Sequence, residues 1–223
     1  MGCSGCYQPV FMIDNWKPCI PWIFNYISAQ YCFSMHRVLF NIERIVRPNS
    51  EEKTAFEQII HHRVIAKNEL YVREGAACKT IGFIEKGCGR LFYEIDGWEV
   101  SKEFLFENSL LGSFVGFFTQ KPSNVNVATV EETQLLEMNY DDVMQLCRTY
   151  PVWQRFATLL LQDQLMRVER REASLLKDAP EDRYRRLLEE HPKVLNRIPP
   201  EFVASYLGIT PETLGRYRSG IGV

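Results

Sequence analysis

Between His62 and Asn139 the chain breaks into seven short apolar runs, at residues 64–66, 70–72, 80–84, 90–95, 99–106, 125–130 and 134–138. Their period is near two and turn residues separate them, the pattern of short strands that bury one face. Asp96-Gly97 lies between two of the runs and is the strongest hairpin cue in the chain, because both residues tolerate the positive φ of a tight turn. Gly75, Gly87 and Gly89 mark other turns. Seven or eight strands at this spacing predict an antiparallel barrel or jelly roll, interrupted by a short helical piece around residues 113–119.

Some jelly rolls are enzymes that hold a metal through histidines on their strands. The histidines here are His36, His61, His62 and His191, and none lies within residues 63–190, so a histidine-ligated metal inside the roll is excluded. His61 and His62 read as solvated surface residues. No Ser–His–Asp or Cys–His set and no phosphate loop has the spacing an enzyme would need. The sequence therefore predicts neither a cofactor nor catalysis.

The end of the chain reads as two short helices around a tight turn. A first helix is expected over 201–207, ended by Gly208 in the left-handed conformation, and Thr210 can cap a second helix with Pro211 at its first position. Ala204 is small enough to let the two helices cross closely, and Ile209 and Leu214 fall where the second must pack inward. Thr213, Arg216 and Arg218 then face out. A helix-turn-helix of this kind points to duplex DNA. The predicted contacts are Arg216 to a guanine edge, Glu212 to a cytosine amino group, and Thr210, Thr213 and Arg218 to phosphates.

Between the two regions, residues 139–149 predict a helix capped by Asn139 and stopped by Pro151, followed by a longer one over 152–176. Val152, Leu159, Met166 and Ala173 recur every seven residues, with Phe156, Asp163 and Arg170 at the intervening seam positions. That stripe predicts a homodimer through Val152, Phe156, Leu159 and Met166. The competing reading is a helix packed on its own roll, since Leu160, Leu161, Leu165 and Val168 widen the apolar face. A break at residues 177–180 makes the hinge, and the arginines of the next amphipathic helix, Arg183, Arg185 and Arg186, read as a solvated face.

The N-terminal 34 residues have no clean period, and prolines at positions 9, 18 and 21 interrupt any helix. The regular sequence begins at Met35, which is an alternative biological start. Cys3, Cys6, Cys19 and Cys32 could in principle hold zinc or an iron–sulfur cluster, but the second pair lacks knuckle spacing, so incidental thiols are the better reading and no metal site is expected. Seven cysteines, an odd number, suit a reducing cytoplasm. With 26 Lys+Arg against 28 Asp+Glu, nucleic-acid contact must come from a local patch. No run of eighteen apolar residues and no secretory signal are present, so no membrane partner is expected.

A β-roll, a long dimer helix and a C-terminal helix-turn-helix in this order resemble the Crp/Fnr family of bacterial transcription regulators. The resemblance spans residues 35–218 and rests most on 71–75 and 84–87, on 112–123, and on 204–214. It implies an α+β architecture in four parts: an irregular segment over 1–34, a cyclic-nucleotide-binding-like roll over 35–150, a dimerisation helix over 151–177 and a DNA-binding domain over 178–223. It also implies a homodimer on double-stranded DNA, with RNA polymerase a further candidate partner. Nucleotide-binding members carry a Gly-Glu pair and, ten residues after the Glu, an Arg followed by Ser or Thr. On that spacing Gly112 survives, Ser113 replaces the Glu, and Ser123-Asn124 replace the second pair. With Phe114 beside them, these residues predict a degenerate effector pocket. The wing-like hairpin of many members is also expected to be absent, because the chain stops at Val223. The rival readings are a ligand-binding module that has lost DNA binding and a redox sensor built on the N-terminal thiols.

Overall fold

The structure is a computed structural model that describes residues 35–220. The N-terminal segment with Cys3, Cys6, Cys19 and Cys32, and residues 221–223, lie outside the described residues. The chain forms two helices, α1 (Met35–Val46) and α2 (Ser50–Gln58), and then the strands β1 (His61–Ile65), β2 (Leu70–Val72), β3 (Thr80–Lys86), β4 (Gly89–Ile95), β5 (Trp98–Leu105) and β6 (Leu110–Leu111). A short helix α3 (Phe114–Thr119) precedes β7 (Asn126–Thr129) and β8 (Thr133–Asn139). The remainder is helical: α4 (Tyr140–Thr149), α5 (Pro151–Lys177), α6 (Pro180–Glu190), α7 (Val194–Arg197), α8 (Pro200–Leu207) and α9 (Pro211–Gly220).

The eight strands make two four-stranded antiparallel sheets, in the orders β1-β8-β3-β6 and β2-β7-β4-β5. This is the jelly roll the period-two runs predict. The hairpin between β4 and β5 turns at Asp96 and Gly97 with φ of 52° and 81°, the two positive values that a type I′ turn demands. Tyr71 on β2 reaches to the other sheet, where its hydroxyl lies 2.9 Å from both Thr80 and Glu137.

Along β3 and β8 the side chains of one face, Ile81, Phe83, Leu136 and Met138, are buried and register with one another as Ile81 opposite Met138 and Phe83 opposite Leu136. Helices cover this core. Val38, Ile42 and Val46 recur every four residues on α1 and are buried with it. Asn49 and Glu52 close a capping box on α2, satisfying two amides that would otherwise lack partners. Phe56 of α2 stacks on Trp153 of α5 at 4.5 Å, and the indole Nε1 donates to the Glu52 carbonyl at 3.0 Å. The start of α5 is thereby wedged between the roll and α2.

A second core lies among α6–α9, built from Tyr184, Leu187, Val194, Ile198, Val203, Ala204, Leu207 and Leu214. Cys88, Phe104 and Val130 of the roll join it, so the C-terminal helices are seated on the roll. Asn139 stands at the cap position of α4 as expected, but its side chain makes no cap bond and instead donates to Asp142 at 3.2 Å.

Candidate nucleic-acid interface and effector site

The helix-turn-helix is α8 and α9. Gly208 closes α8 with φ 67° and ψ 39°, and the Ile209 amide donates back to the Ala204 carbonyl at 3.0 Å. Thr210 caps α9 by accepting from the Thr213 amide at 3.3 Å, and Pro211 takes the first position, where its missing N–H costs nothing. Ala204, Leu207 and Leu214 are buried at the crossing. Arg183 fixes the turn from behind, donating through Nε and Nη2 to the Leu207 carbonyl at 3.1 and 2.8 Å and through Nη1 to the Asp178 carbonyl at 2.8 Å. It is thus a half-buried structural arginine, in contrast to the solvated face the sequence suggests; Arg185 and Arg186 are exposed.

With Leu214 turned inward, α9 presents Glu212, Arg216 and Arg218 to solvent, with Thr213 half-exposed between them and Thr210 exposed at the cap. Arg216 donates to the Thr213 hydroxyl at 3.0 Å, which holds its guanidinium along the outward face. The Glu212 backbone N–H and then Thr210 hold the Glu212 carboxyl below its ordinary range, so it is ionised at neutral pH and accepts hydrogen bonds only. The exposed face thus pairs one donor with fork geometry, Arg216, with one acceptor, Glu212, one turn apart, while Arg218, four residues after the buried Leu214, is exposed on another side of the helix.

The C-terminal helices meet the roll through polar clamps that sequence reasoning missed. Ser205 of α8 accepts from the Ser101 amide at 2.9 Å and donates to the Glu99 carbonyl at 3.0 Å, borrowing two backbone groups of β5. Arg197 forms a bidentate pair with Glu107 at 2.8 and 2.9 Å, reaches the Gly87 carbonyl at 2.9 Å and contacts Glu131. Burial, the largest single influence, would raise the Glu107 carboxyl, but the Arg197 hydrogen bonds and charge together with backbone amides hold the group low. Arg90 of β4 is buried between the rings of Phe92 and Phe202, 3.9 and 3.7 Å from their centroids, and pairs with Glu99. Arg171 of α5 contacts the Tyr206 carbonyl and lies 3.7 Å from its ring centroid. These contacts join residues far apart in sequence, and no local pattern marks them.

Helix α5 divides by depth. Phe156 is buried in the roll's own core beside Phe83 and Trp153, and Val152 and Leu159 are half-buried against that core. Met166 is half-buried further along. The outward apolar stripe is instead Leu161, Leu165, Val168 and Leu175, with Leu165 61% exposed. Leu161, Val168 and Leu175 recur every seven residues. The heptad was visible in the sequence, but its phase is set by the roll, which occupies the face bearing Phe156.

At the predicted effector positions the two serines are committed to the backbone. The buried Ser113 caps α3 by accepting from the Gly116 amide at 3.2 Å. Ser123, also buried, donates to the Val125 carbonyl at 2.7 Å and accepts from the Val125 amide at 3.2 Å. Asn124 and Lys121 are exposed. Gly112 has φ 156°, and a Cβ there would come 2.9 Å from Ile81, so packing against β3 explains this glycine without a ligand. Phe114 is half-buried and sits 6.2 Å from Phe118, while Phe117 meets Phe118 and Tyr140 edge-on at 5.3 and 5.4 Å. Among the described residues no group of three or more His, Cys, Asp and Glu could hold a metal, and no helix is long and apolar enough to cross a membrane.

Residues 62–150 match the cyclic nucleotide-binding domain family. Solved structures extend the likeness beyond that domain. The c-di-GMP responsive global regulator CLP of Xanthomonas campestris aligns over 78% of this chain and 91% of its own, at 20% identity and a TM-score of 0.62. FixK2 of Bradyrhizobium japonicum aligns over 73% and 84%, at 14% identity and a TM-score of 0.65. The catabolite activator protein of Thermus thermophilus aligns over 81% and 85%, at 20% identity and a TM-score of 0.52. No curated protein matches the sequence. The roll is therefore a cyclic nucleotide-binding domain, and the chain as a whole has the fold of the Crp/Fnr transcription regulators.

Proposed function

We propose that the protein is a dimeric, DNA-binding transcription regulator of the Crp/Fnr type whose nucleotide pocket is degenerate, and that it is not an enzyme. The observation that carries the reading is α9, where Arg216 and ionised Glu212 share one exposed face and Arg218 is exposed beyond them, on a turn fixed by Gly208 and Arg183. The Crp/Fnr fold supports the same assignment, with α9 as the helix laid in the major groove. Two copies meet through Leu161, Leu165, Val168 and Leu175 of α5.

Arg216 reads a guanine edge, Glu212 a cytosine amino group, and Thr210, Thr213 and Arg218 hold phosphates. Arg216→Ala is expected to cost about 1–3 kcal/mol on the preferred duplex and to relax sequence preference, whereas Arg218→Ala weakens all sequences alike and lowers the salt slope by about 1. Binding measured on specific and random duplexes across salt concentrations checks both. Equal losses on the two duplexes for Arg216→Ala would reject its base-reading role.

Cyclic AMP and cyclic GMP are expected not to bind. A cyclic phosphate is an anion that must shed water to enter the roll, and burying it without a partner charge costs several kcal/mol. Ser113 and Ser123 offer neutral hydroxyls that already serve the backbone. Calorimetric titration with millimolar cyclic nucleotide should give no saturable heat, and a dissociation constant in the low micromolar range would refute the loss of the pocket.

A further inference from the structure

Behind α3, on the helix-covered face of β3, β6 and β8, lies a cavity of about 60 Å³. It is bounded by α3, by α4 through Val143, Leu146 and Cys147, and by α5 from Trp153 to Leu160. All of its sixteen lining residues carry apolar or thiol side chains; of the five residues at the predicted effector site only Phe114 is among them, and Gly112, Ser113, Ser123 and Asn124 are not. The cavity therefore adjoins the predicted effector site through Phe114 but holds none of its polar residues. Its polar tips are already satisfied or turned away: the Trp153 Nε1 is bonded to the Glu52 carbonyl at 3.0 Å. What faces the space is aromatic rings, branched carbons and one neutral thiol, since burial pushes the Cys147 thiol up.

We propose that this cavity binds a small uncharged apolar molecule, a single aromatic ring or a hydrocarbon of about six heavy atoms. A water needs roughly 10–15 Å³ and two to four polar partners, so this partly open space has room for several waters but nothing to hold them, and an apolar guest that displaces poorly held water gains affinity. The recess is ringed by Phe114, Phe117, Phe118, Trp153 and Phe156. Dispersion contacts with such rings favour a flat apolar guest. An anion would meet no donor at all.

The position also gives the occupant something to act on. Ala157 and Leu160 line the cavity, and the next residue, Leu161, opens the outward stripe of the same helix. Any consequence for DNA binding rests on the function proposed above; the binding itself does not.

Benzene is the probe. Calorimetric titration of the full chain without DNA should give a saturable heat at one site, with a dissociation constant of about 1 mM or below, and benzene should raise the melting temperature. Ala157→Leu on α5 and Val143→Leu on α4 place methyl groups in the space from opposite walls. Each is expected to weaken benzene at least tenfold while the circular dichroism spectrum is kept. No saturable heat with the unaltered chain overturns the proposal, and so does equal affinity in a folded filled variant. Benzene binding by an unaltered chain that binds no duplex would overturn the DNA-binding reading alone, and duplex binding without benzene binding would overturn this one alone.

Discussion

Replacing Leu161 and Leu165 together by Glu is expected to convert the protein from dimer to monomer and to weaken its binding to a two-half-site duplex by about 100-fold or more. The two leucines are 40% and 61% exposed on one face of α5, and Val168 and Leu175 continue the stripe. Four large apolar residues in a row on a single exposed face, three of them in heptad register, match the seam of a two-helix coil. Glutamates at neighbouring seam positions would face their counterparts across the interface and repel them without disturbing the roll. Each half of a dimer brings a recognition helix to one half-site, so losing the partner removes the gain of a second, tethered contact. Sedimentation at micromolar concentration reads the first effect, and titration of a fluorescent duplex reads the second. A monomeric unaltered protein would refute the assignment of this face.

Trp153→Ala is expected to destabilise the protein by about 3–5 kcal/mol, the usual cost of emptying a large aromatic site in a core. Trp153 is 2% exposed, stacks on Phe56 and meets Phe156 edge-on at 6.1 Å. It also carries the hydrogen bond that ties α5 to the end of α2's first turn. Removing it deletes the wedge that seats the long helix on the roll and leaves the Glu52 carbonyl to find another donor. Chemical denaturation of the full chain at fixed protein concentration measures the loss. A change under about 1 kcal/mol would mean that α5 is held chiefly by other contacts.

What the sequence disclosed follows how local each determinant is. The Asp96-Gly97 turn and the Gly208 turn are written in two or three residues, because only a few residue types take positive φ, and both are where the pattern places them. The strands β3, β4 and β5 likewise declare themselves as short apolar runs bounded by turn residues. The two-residue β6 does not, since Leu110 and Leu111 become a strand only by pairing with Gly82 and Phe83. The four-residue α7 is also too short to leave a period. Residue types alone lead to the expectation of a degenerate phosphate cassette; that the Ser113 and Ser123 hydroxyls bond to Gly116 and Val125 needed coordinates.

The phase of α5 marks the limit of pattern reading. Two heptad tracks run along this helix one residue or two apart, and composition gives no reason to prefer either. The choice is made by β3 and α2, which take Trp153 and Phe156 and leave Leu161 and Leu165 outside. Arg197 is a similar case. An arginine beside Ile198 has no sequence mark of a clamp, and its role comes from Glu107 and Glu131 in the roll.

The most direct test of a dimeric DNA-binding regulator is selection of binding sites from random duplexes with the purified full chain. The account predicts enrichment of an inverted repeat whose half-sites are centred about 10–10.5 base pairs, or a multiple of that, apart. It further predicts that Arg216→Ala loses the preference for a guanine in each half-site. Recovery of unenriched random sequence, or of a single unpaired site by a protein that sediments as a monomer, would contradict it.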